Sequence, residues 1–485
     1  MSNIVDIFLN ACQLHSKKTA IIYEKKGKII SQTFLELQQD VFATVCYMRK
    51  NKIRQGDKIL AFCASSYELC VFMWASLLVG ASIMYVDILA KQKSLREIFK
   101  EYTPDRILVC NKTKALRFFF REFSKIKQVI NIDKIPMNSF DSDKIALSRI
   151  SEDTLALLTM TTGSTGIPKV ALRSHQDLMQ QLQLIKDNTV LSYQNEMALT
   201  TSYIYVFANM LCGITTVLPQ LNLKKHEKSI NQRLALFSHL PVTMAITTPD
   251  FCFKAENHFP NLKRLYVGGA ILNLHEAKQI QNKFPDSENI VIYGSTECSI
   301  MCTITLKEFI SLLSQTGRSP LGYPVKGVDV RLTDENEIIV HSDALLADYL
   351  TQDKSTKTND ENGFLWHHTN DMAIKQNGVF YFLGKSKYFV SVNNQKIYSN
   401  EIEQRIITTL EEISKCAVLQ HQEKVYVFLE DYTKELAEKI AKILRKTYQI
   451  TNSEVVPIKK IPCDVKHHTK IHYEKLKKRF KHDRI

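Results

Sequence analysis

The stretch Thr159-Met-Thr-Thr-Gly-Ser-Thr-Gly-Ile-Pro-Lys169 gathers hydroxyls, two glycines and one lysine directly after an apolar run. Gly163 and Gly166 open backbone conformations closed to other residues. N–H groups and the hydroxyls of Thr161, Thr162, Ser164 and Thr165 can then converge on phosphate oxygens, with Lys169 adding a positive charge. The spacing is not that of a Walker loop, which carries Lys and Ser/Thr directly after its last glycine; here Gly166 is followed by Ile167, Pro168 and Lys169. A polar turn between a strand and a solvated segment is the plainer reading of the same residues, and the rest of the chain has to decide between the two.

A cradle of this kind must be delivered by a strand, and Thr154 to Met160 is one. Upstream, Lys58-Ile-Leu-Ala-Phe62, Arg106-Ile-Leu-Val-Cys110 and Gln128-Val-Ile-Asn-Ile132 are compact apolar runs separated by helical segments, the pattern of parallel strands in a layered α/β fold. Residues 4 to 23 read as an amphipathic helix and then a strand from Thr19, and Thr33 to Lys50 and Leu172 to Leu191 as further helices. Two later strands, Leu262 to Val267 and Asn289 to Tyr293, run into Gly268-Gly269-Ala270 and Gly294-Ser295-Thr296-Glu297. Ligand crevices in open α/β sheets form at the carboxyl ends of strands, which places both loops and the cradle on one edge. Between them, Met197 to Leu218 is an apolar stretch in which Tyr203, Tyr205 and Phe207 are candidates to line a ligand pocket.

From Asp329 short strands and hairpin turns predict a β-rich subdomain, closed by Phe380-Tyr-Phe-Leu383. The polar joint Lys385-Ser-Lys-Tyr388 follows Gly384. It is the expected boundary between a large N-terminal domain, 1–386, of mixed sheets layered with helices, and a small α+β domain, 387–485.

With 485 residues and 45% hydrophobic content, the chain can fill a large core over more than one domain. Half of its net charge of +14 lies between Val456 and Ile485, a basic segment suited to a phosphate-bearing ligand; no zinc-finger spacing or RNA-binding aromatic signature points to nucleic acid. The cysteines are scattered without a Cys-x-x-Cys, which excludes a zinc ribbon or disulfide framework and makes the cytoplasm the expected location; Cys298 and Cys302 read as two buried thiols. Adjacent histidines at 367–368 and 467–468 lack ligand spacing. Met1 to Thr19 has no continuous apolar core for a signal peptide. The apolar run Val71 to Val86 is shorter than the roughly 20 residues of a bilayer span. It reads as a buried helix that starts near Ser65, Ser66 and Glu68 and ends near Gly80.

Taken in order, these loops resemble the motifs of the adenylate-forming superfamily of acyl-CoA synthetases, carrier-protein adenylation domains and luciferases. Thr161 to Lys169 resembles its phosphate loop, Gly268-Gly269-Ala270 its adenine-side loop, and Tyr293-Gly-Ser-Thr-Glu297 its aromatic-Gly-x-Thr-Glu motif. Gly363 to Asp371 is similar to the segment ending in the ribose-binding aspartate, and Gly384-Lys-Ser-Lys387 through Glu401-Ile-Glu403 to the hinge and the loop after it. Lys470 falls where the late catalytic lysine is expected. The resemblance implies ATP and Mg²⁺ as cofactors. Gly269, Ala270 and Gly294 would border the nucleotide, Tyr293 would stack on adenine, and Asp371 would accept from both ribose hydroxyls beside Lys385. Thr296 would donate to the α-phosphate, Glu297 would hold Mg²⁺, and Lys470 would bridge the carboxylate and the α-phosphate.

Departures from the pattern are Lys385 for an arginine, Lys387 for an aspartate, Asn370 and Asn394 for glycines, Ser391 for a lysine and Thr469 for a glycine. The glycine that Asn394 replaces faces the tunnel for pantetheine in relatives, so the resemblance implies that a side chain there bears on the thioester step. The segment around Tyr203 has no aspartate to meet an ammonium, which favours an apolar acid over an amino acid. The expected activity is ligation of an apolar, fatty or related carboxylic acid to a thiol through an acyl-adenylate. Coenzyme A is the leading acceptor and an acyl carrier protein the alternative; a relative that binds nucleotide or acyl ligand without turnover is the remaining reading.

Overall fold

The computed structural model describes residues 3–86, 96, 98–100, 102–115, 122–123, 126, 128–137, 149–161, 169–189, 196–221, 226–256, 258–346, 348–350, 356–463 and 470–480. Two sheets organise it, of fourteen and seven strands. In the smaller, the strand Lys58–Phe62 shows how the layers arise. Ile59 and Ala61 face one side and Leu60 and Phe62 the other, and all four are fully buried, in two different cores. The first core also takes Ile21, Met244, Tyr266 and Ile292 from the large sheet, so helices lie sandwiched between the sheets. A third core covers the far face of the large sheet through Leu199, Leu265 and Val291.

The helix Tyr67–Val79 is the central filling of the sandwich. It is apolar on every side, as a helix enclosed by protein must be. Ser66 caps it by accepting Leu69 N–H at 3.1 Å, and Gly80 ends it at φ 75°, a left-handed angle that glycine adopts without strain. Among the described residues no helix is long and apolar enough to cross a membrane.

Parallel strands of the large sheet, Met197–Thr200, Met244–Thr247, Arg264–Gly268 and Glu288–Tyr293, end on one edge. The expectation that the cradle shares this edge is corrected. Its strand Leu155–Thr161 pairs with Ser82–Tyr85 and with Lys169–Ser174 in the seven-stranded sheet, so the cradle reaches the loops from the other layer. The helix expected from Leu172 is likewise shorter: residues up to Ser174 pair as strand, with Leu172 opposite Leu158, and the helix is His175–Thr189. A reciprocal cap sets that start, Ser174 Oγ accepting Asp177 N–H at 3.1 Å and Asp177 Oδ2 accepting Ser174 N–H at 2.8 Å.

The β-rich segment is an extension of the large sheet. Strands Asp329–Leu332, Glu337–His341, Leu365–Gln376 and Val379–Lys385 run antiparallel and join it through Ser319–Pro324. After Phe389 the chain builds a hairpin and a separate three-stranded sheet around Val390, Ile402, Ile406, Val427 and Ile440. This unit meets the rest through polar contacts, Arg318 to Glu401 at 2.9 Å, Arg405 to the Thr316 carbonyl at 2.6 Å and Asn273 to the Ser414 carbonyl at 3.1 Å. A small apolar group of Met372, Leu383 and Tyr398 lies at the joint.

Candidate active site

Asp371, at the bulge of the long strand Leu365–Gln376, stands opposite Lys385 of the adjoining strand, whose Nζ is 2.6 Å from Oδ1. The other oxygen, Oδ2, accepts the Tyr293 hydroxyl at 2.8 Å. Tyr293 closes the strand Glu288–Tyr293, and burial, then the Asp371 charge, push its hydroxyl well above its ordinary range, so it is the donor of the pair. Asp371 is 8% exposed and its backbone N–H bonds Thr369 Oγ1 at 3.1 Å. The sequence reading left both carboxylate oxygens to the ribose; each already has a protein partner, and a sugar hydroxyl would share them through remaining lone pairs. Asn370, beside Asp371, has φ 57°, which explains how asparagine serves where glycine is usual.

Beyond Tyr293 the chain turns sharply. A Cβ on Gly294 would collide with the Ser299 carbonyl, so only glycine fits this close approach. Ser295 Oγ accepts the N–H groups of Glu297 and Cys298, both at 3.2 Å, and folds the loop over. Thr296 and Glu297 are half-buried. Among the described residues no hydrogen bond or ion pair reaches the Glu297 carboxylate, although its charge acts on Arg173 and on the buried His367. A hard oxygen donor of this kind suits Mg²⁺, which takes one or two protein carboxylates and fills its shell with phosphates and water. On the neighbouring strand, Gly268 packs against Ile292, Gly269 has φ 97° and is exposed, and Ala270 is half-buried.

Thr162, Gly163, Ser164, Thr165 and Gly166 lie outside the described residues; Thr161 and Lys169 face each other where the hairpin opens. What ties this hairpin to the Thr296 loop is a residue that sequence reasoning missed. Arg173 donates to Thr159 Oγ1 at 2.6 Å, to Gln181 Oε1 at 2.8 Å and to the Thr296 carbonyl at 2.8 Å. The one sequence signal was an arginine ending the run Val170-Ala171-Leu172.

Lys470 is exposed, beside the bridge that pairs Ile471 with Cys463, and its segment is anchored by Tyr473, whose hydroxyl donates to Glu403 at 2.8 Å and whose ring packs tilted against Tyr388 with centroids 4.3 Å apart. Ser391 and Asn394 belong to a tight hairpin in which Asn393 and Asn394 have φ of 49° and 64°.

The pocket assigned to the aromatic segment is corrected in part. Phe207 is core, 4.6 Å from Trp74, and the Tyr203 hydroxyl is held by the Ser66 backbone, accepting its N–H at 2.8 Å and donating to its carbonyl at 3.0 Å; Tyr205 remains half-buried. His367 bonds the Thr356 carbonyl and His368 pairs with Glu337, while His467 and His468 lie outside the described residues. Cys298 and Cys302 are buried, and burial pushes both thiols up to about 12.

Residues 8–346 match the AMP-binding enzyme family. The D-alanine–D-alanyl carrier protein ligase of Staphylococcus aureus (strain Newman) is 24% identical over 370 residues, 73% of either chain. In fold, the chain is similar to the amide bond synthetase McbA from Marinactinospora thermotolerans, with a TM-score of 0.82 at 15% identity over 98% of this chain and 99% of that one. It is also similar to o-succinylbenzoate coenzyme A synthetase from Bacillus subtilis in complex with AMP, with a TM-score of 0.78 at 17% identity over 97% and 98%. The chain belongs to the AMP-binding enzyme family and is an adenylate-forming acid ligase.

Proposed function

We propose that this protein uses ATP to convert an apolar carboxylic acid into its acyl-adenylate and then passes the acyl group to a thiol, with coenzyme A as acceptor. The observation that carries the reading is the Asp371 carboxylate held between Tyr293 and Lys385, beside a glycine-turned loop that presents Thr296 and Glu297. In the first step a carboxylate oxygen attacks the α-phosphorus and the bond to the β-phosphate oxygen breaks, releasing pyrophosphate. Mg²⁺ held by Glu297 would offset charge building on the phosphate oxygens. Asp371 anchors the ribose, Thr296 donates to the α-phosphate, and Lys470 places its ammonium between the two reacting anions. In the second step the thiol adds to the acyl carbonyl, loses its proton and expels AMP.

The chain would work as two domains, 1–386 and 387–485. The joint at Lys387 would first present Lys470 and then the Ser391 to Asn394 hairpin, a rotation that would part the polar seam at Arg318, Thr316 and Asn273 together with the small apolar group of Met372, Leu383 and Tyr398, and leave the separate core around Val390 and Ile402 closed. An apolar acid is favoured because the helix Tyr203–Leu211 carries no acidic side chain to pair an ammonium. The second reading, delivery to a carrier protein, is favoured by the Staphylococcus aureus relative, whose name states that acceptor. The deciding experiment follows pyrophosphate release with fatty, aromatic and amino acids, D-alanine included, and then thioester formation with coenzyme A and with a phosphopantetheinylated carrier. Fast exchange with D-alanine alone would overturn the apolar substrate, and transfer only to the carrier would overturn coenzyme A.

A further inference from the structure

Arg173 is 5% exposed, and burial draws its guanidinium down to about 10 while the charges of Glu297 and Asp177 oppose the fall. A guanidinium taken out of water costs several kcal/mol unless its donors are satisfied. Here Nη1 donates to Thr159 in the strand leading into the cradle, Nε to Gln181 on the helix His175–Thr189, and Nη2 to the Thr296 carbonyl. Gln181 is itself fully buried, and its amide nitrogen donates to the Glu297 carbonyl at 3.4 Å. Two consecutive carbonyls of one loop are thus held from the buried side by an Arg–Gln pair rooted in the other sheet's hairpin and its following helix. A residue needed only for packing would be apolar here; a rigid fork with several donors is what joins three elements at once.

We propose that Arg173, assisted by Gln181, is a positioning residue for adenylate formation, fixing Thr296 and Glu297 at a set distance from the strands that carry the phosphate cradle. The inference rests on the adenylation reading of the site. Both side chains that face the phosphates then stand in place before substrate arrives, and the loop need not be ordered at the moment of reaction.

The test uses Arg173→Met, Arg173→Lys and Gln181→Met in the full chain, with two readouts. In free protein, amide hydrogen exchange across Gly294 to Cys298 should quicken by about ten-fold in Arg173→Met and be partly restored in Arg173→Lys. In ATP–pyrophosphate exchange, kcat should fall about 100-fold, the loss expected of a misplacement near 1 Å, with KM for ATP within about three-fold and the half-saturating Mg²⁺ concentration raised. Unchanged amide exchange and unchanged kcat in a folded Arg173→Met protein would overturn the proposal. So would a loss of activity that tracks the loss of folded protein at an unmoved Mg²⁺ requirement. If Arg173→Met does not fold, Gln181→Met decides: the same shifts at smaller amplitude support positioning, and no shift refutes it. A wild-type protein that exchanges pyrophosphate with no acid refutes the adenylation reading instead, and the hydrogen-exchange arm then decides the positioning alone.

Discussion

The Tyr293 hydroxyl donates to Asp371 Oδ2 over 2.8 Å, joining the end of a parallel strand to an antiparallel hairpin 78 residues further along the chain. A hydrogen bond to a charged group contributes about 1.5–3 kcal/mol, and here it aims the carboxylate. Tyr293→Phe should therefore weaken ATP binding by about three- to ten-fold while changing kcat little, because the lost contact orients a ground-state partner of the nucleotide. Calorimetric titration with a non-hydrolysable ATP analogue measures this, and an unaltered affinity would show that Asp371 is oriented without Tyr293.

Gly294 leaves no room for a methyl group against the Ser299 carbonyl, which is backbone on a segment tied back by Met301 N–H to the Tyr293 carbonyl at 2.8 Å. Gly294→Ala must move the Thr296–Glu297 loop. A drop of several degrees in Tm and about a 100-fold loss of pyrophosphate exchange are expected. Wild-type turnover in that variant would separate the loop from the chemistry.

Asn394 sits at φ 64°, so Asn394→Gly preserves the hairpin and leaves Tm close to wild type. If the Asn394 side chain narrows the route for pantetheine, as the resemblance to the family implies, the variant forms the thioester with coenzyme A faster and leaves pyrophosphate exchange unchanged, since only the second step would pass that hairpin. A slower thioester step would instead assign Asn394 a hydrogen bond to the incoming pantetheine.

Glu403 supplies a pH dependence. Burial raises its carboxyl from near 4.5 to about 8, against the opposing effects of Val418 N–H at 2.8 Å, the Tyr473 hydroxyl and the Lys415 charge. The folded state holds a proton that the unfolded state releases, so the contribution to stability is complete below about 4.5 and is lost as pH rises through about 8. Denaturant midpoints of wild type and Glu403→Gln between pH 5 and 9 should differ by an amount that grows with pH, the glutamine protein falling less. Parallel curves would mean that Glu403 does not change its protonation in this window.

Much of this was legible in local chemistry. Ser66 and Gly80 marked both ends of the central helix, and Lys58–Phe62 was a strand from its apolar run alone. Tyr293 and Asp371 were found by their motifs, yet the bond between them was not, because it depends on how two strands of one sheet are brought together. Leu172 to Ser174 read as helix because three residues with a single apolar side chain show no period of their own, and pairing with Leu155–Thr161 decided otherwise. Arg173 reaches a carbonyl 123 residues away, a relationship without trace in sequence spacing.

The most direct test compares carboxylate-dependent ATP–pyrophosphate exchange in wild type and Lys470→Ala. The account predicts exchange that requires a carboxylic acid and Mg²⁺ in the wild type. In the variant it predicts a loss of two or more orders of magnitude with ATP affinity retained, because Lys470 would act where charge develops. Exchange that proceeds equally well without the lysine, or that is absent from the wild type with every acid offered, would contradict it.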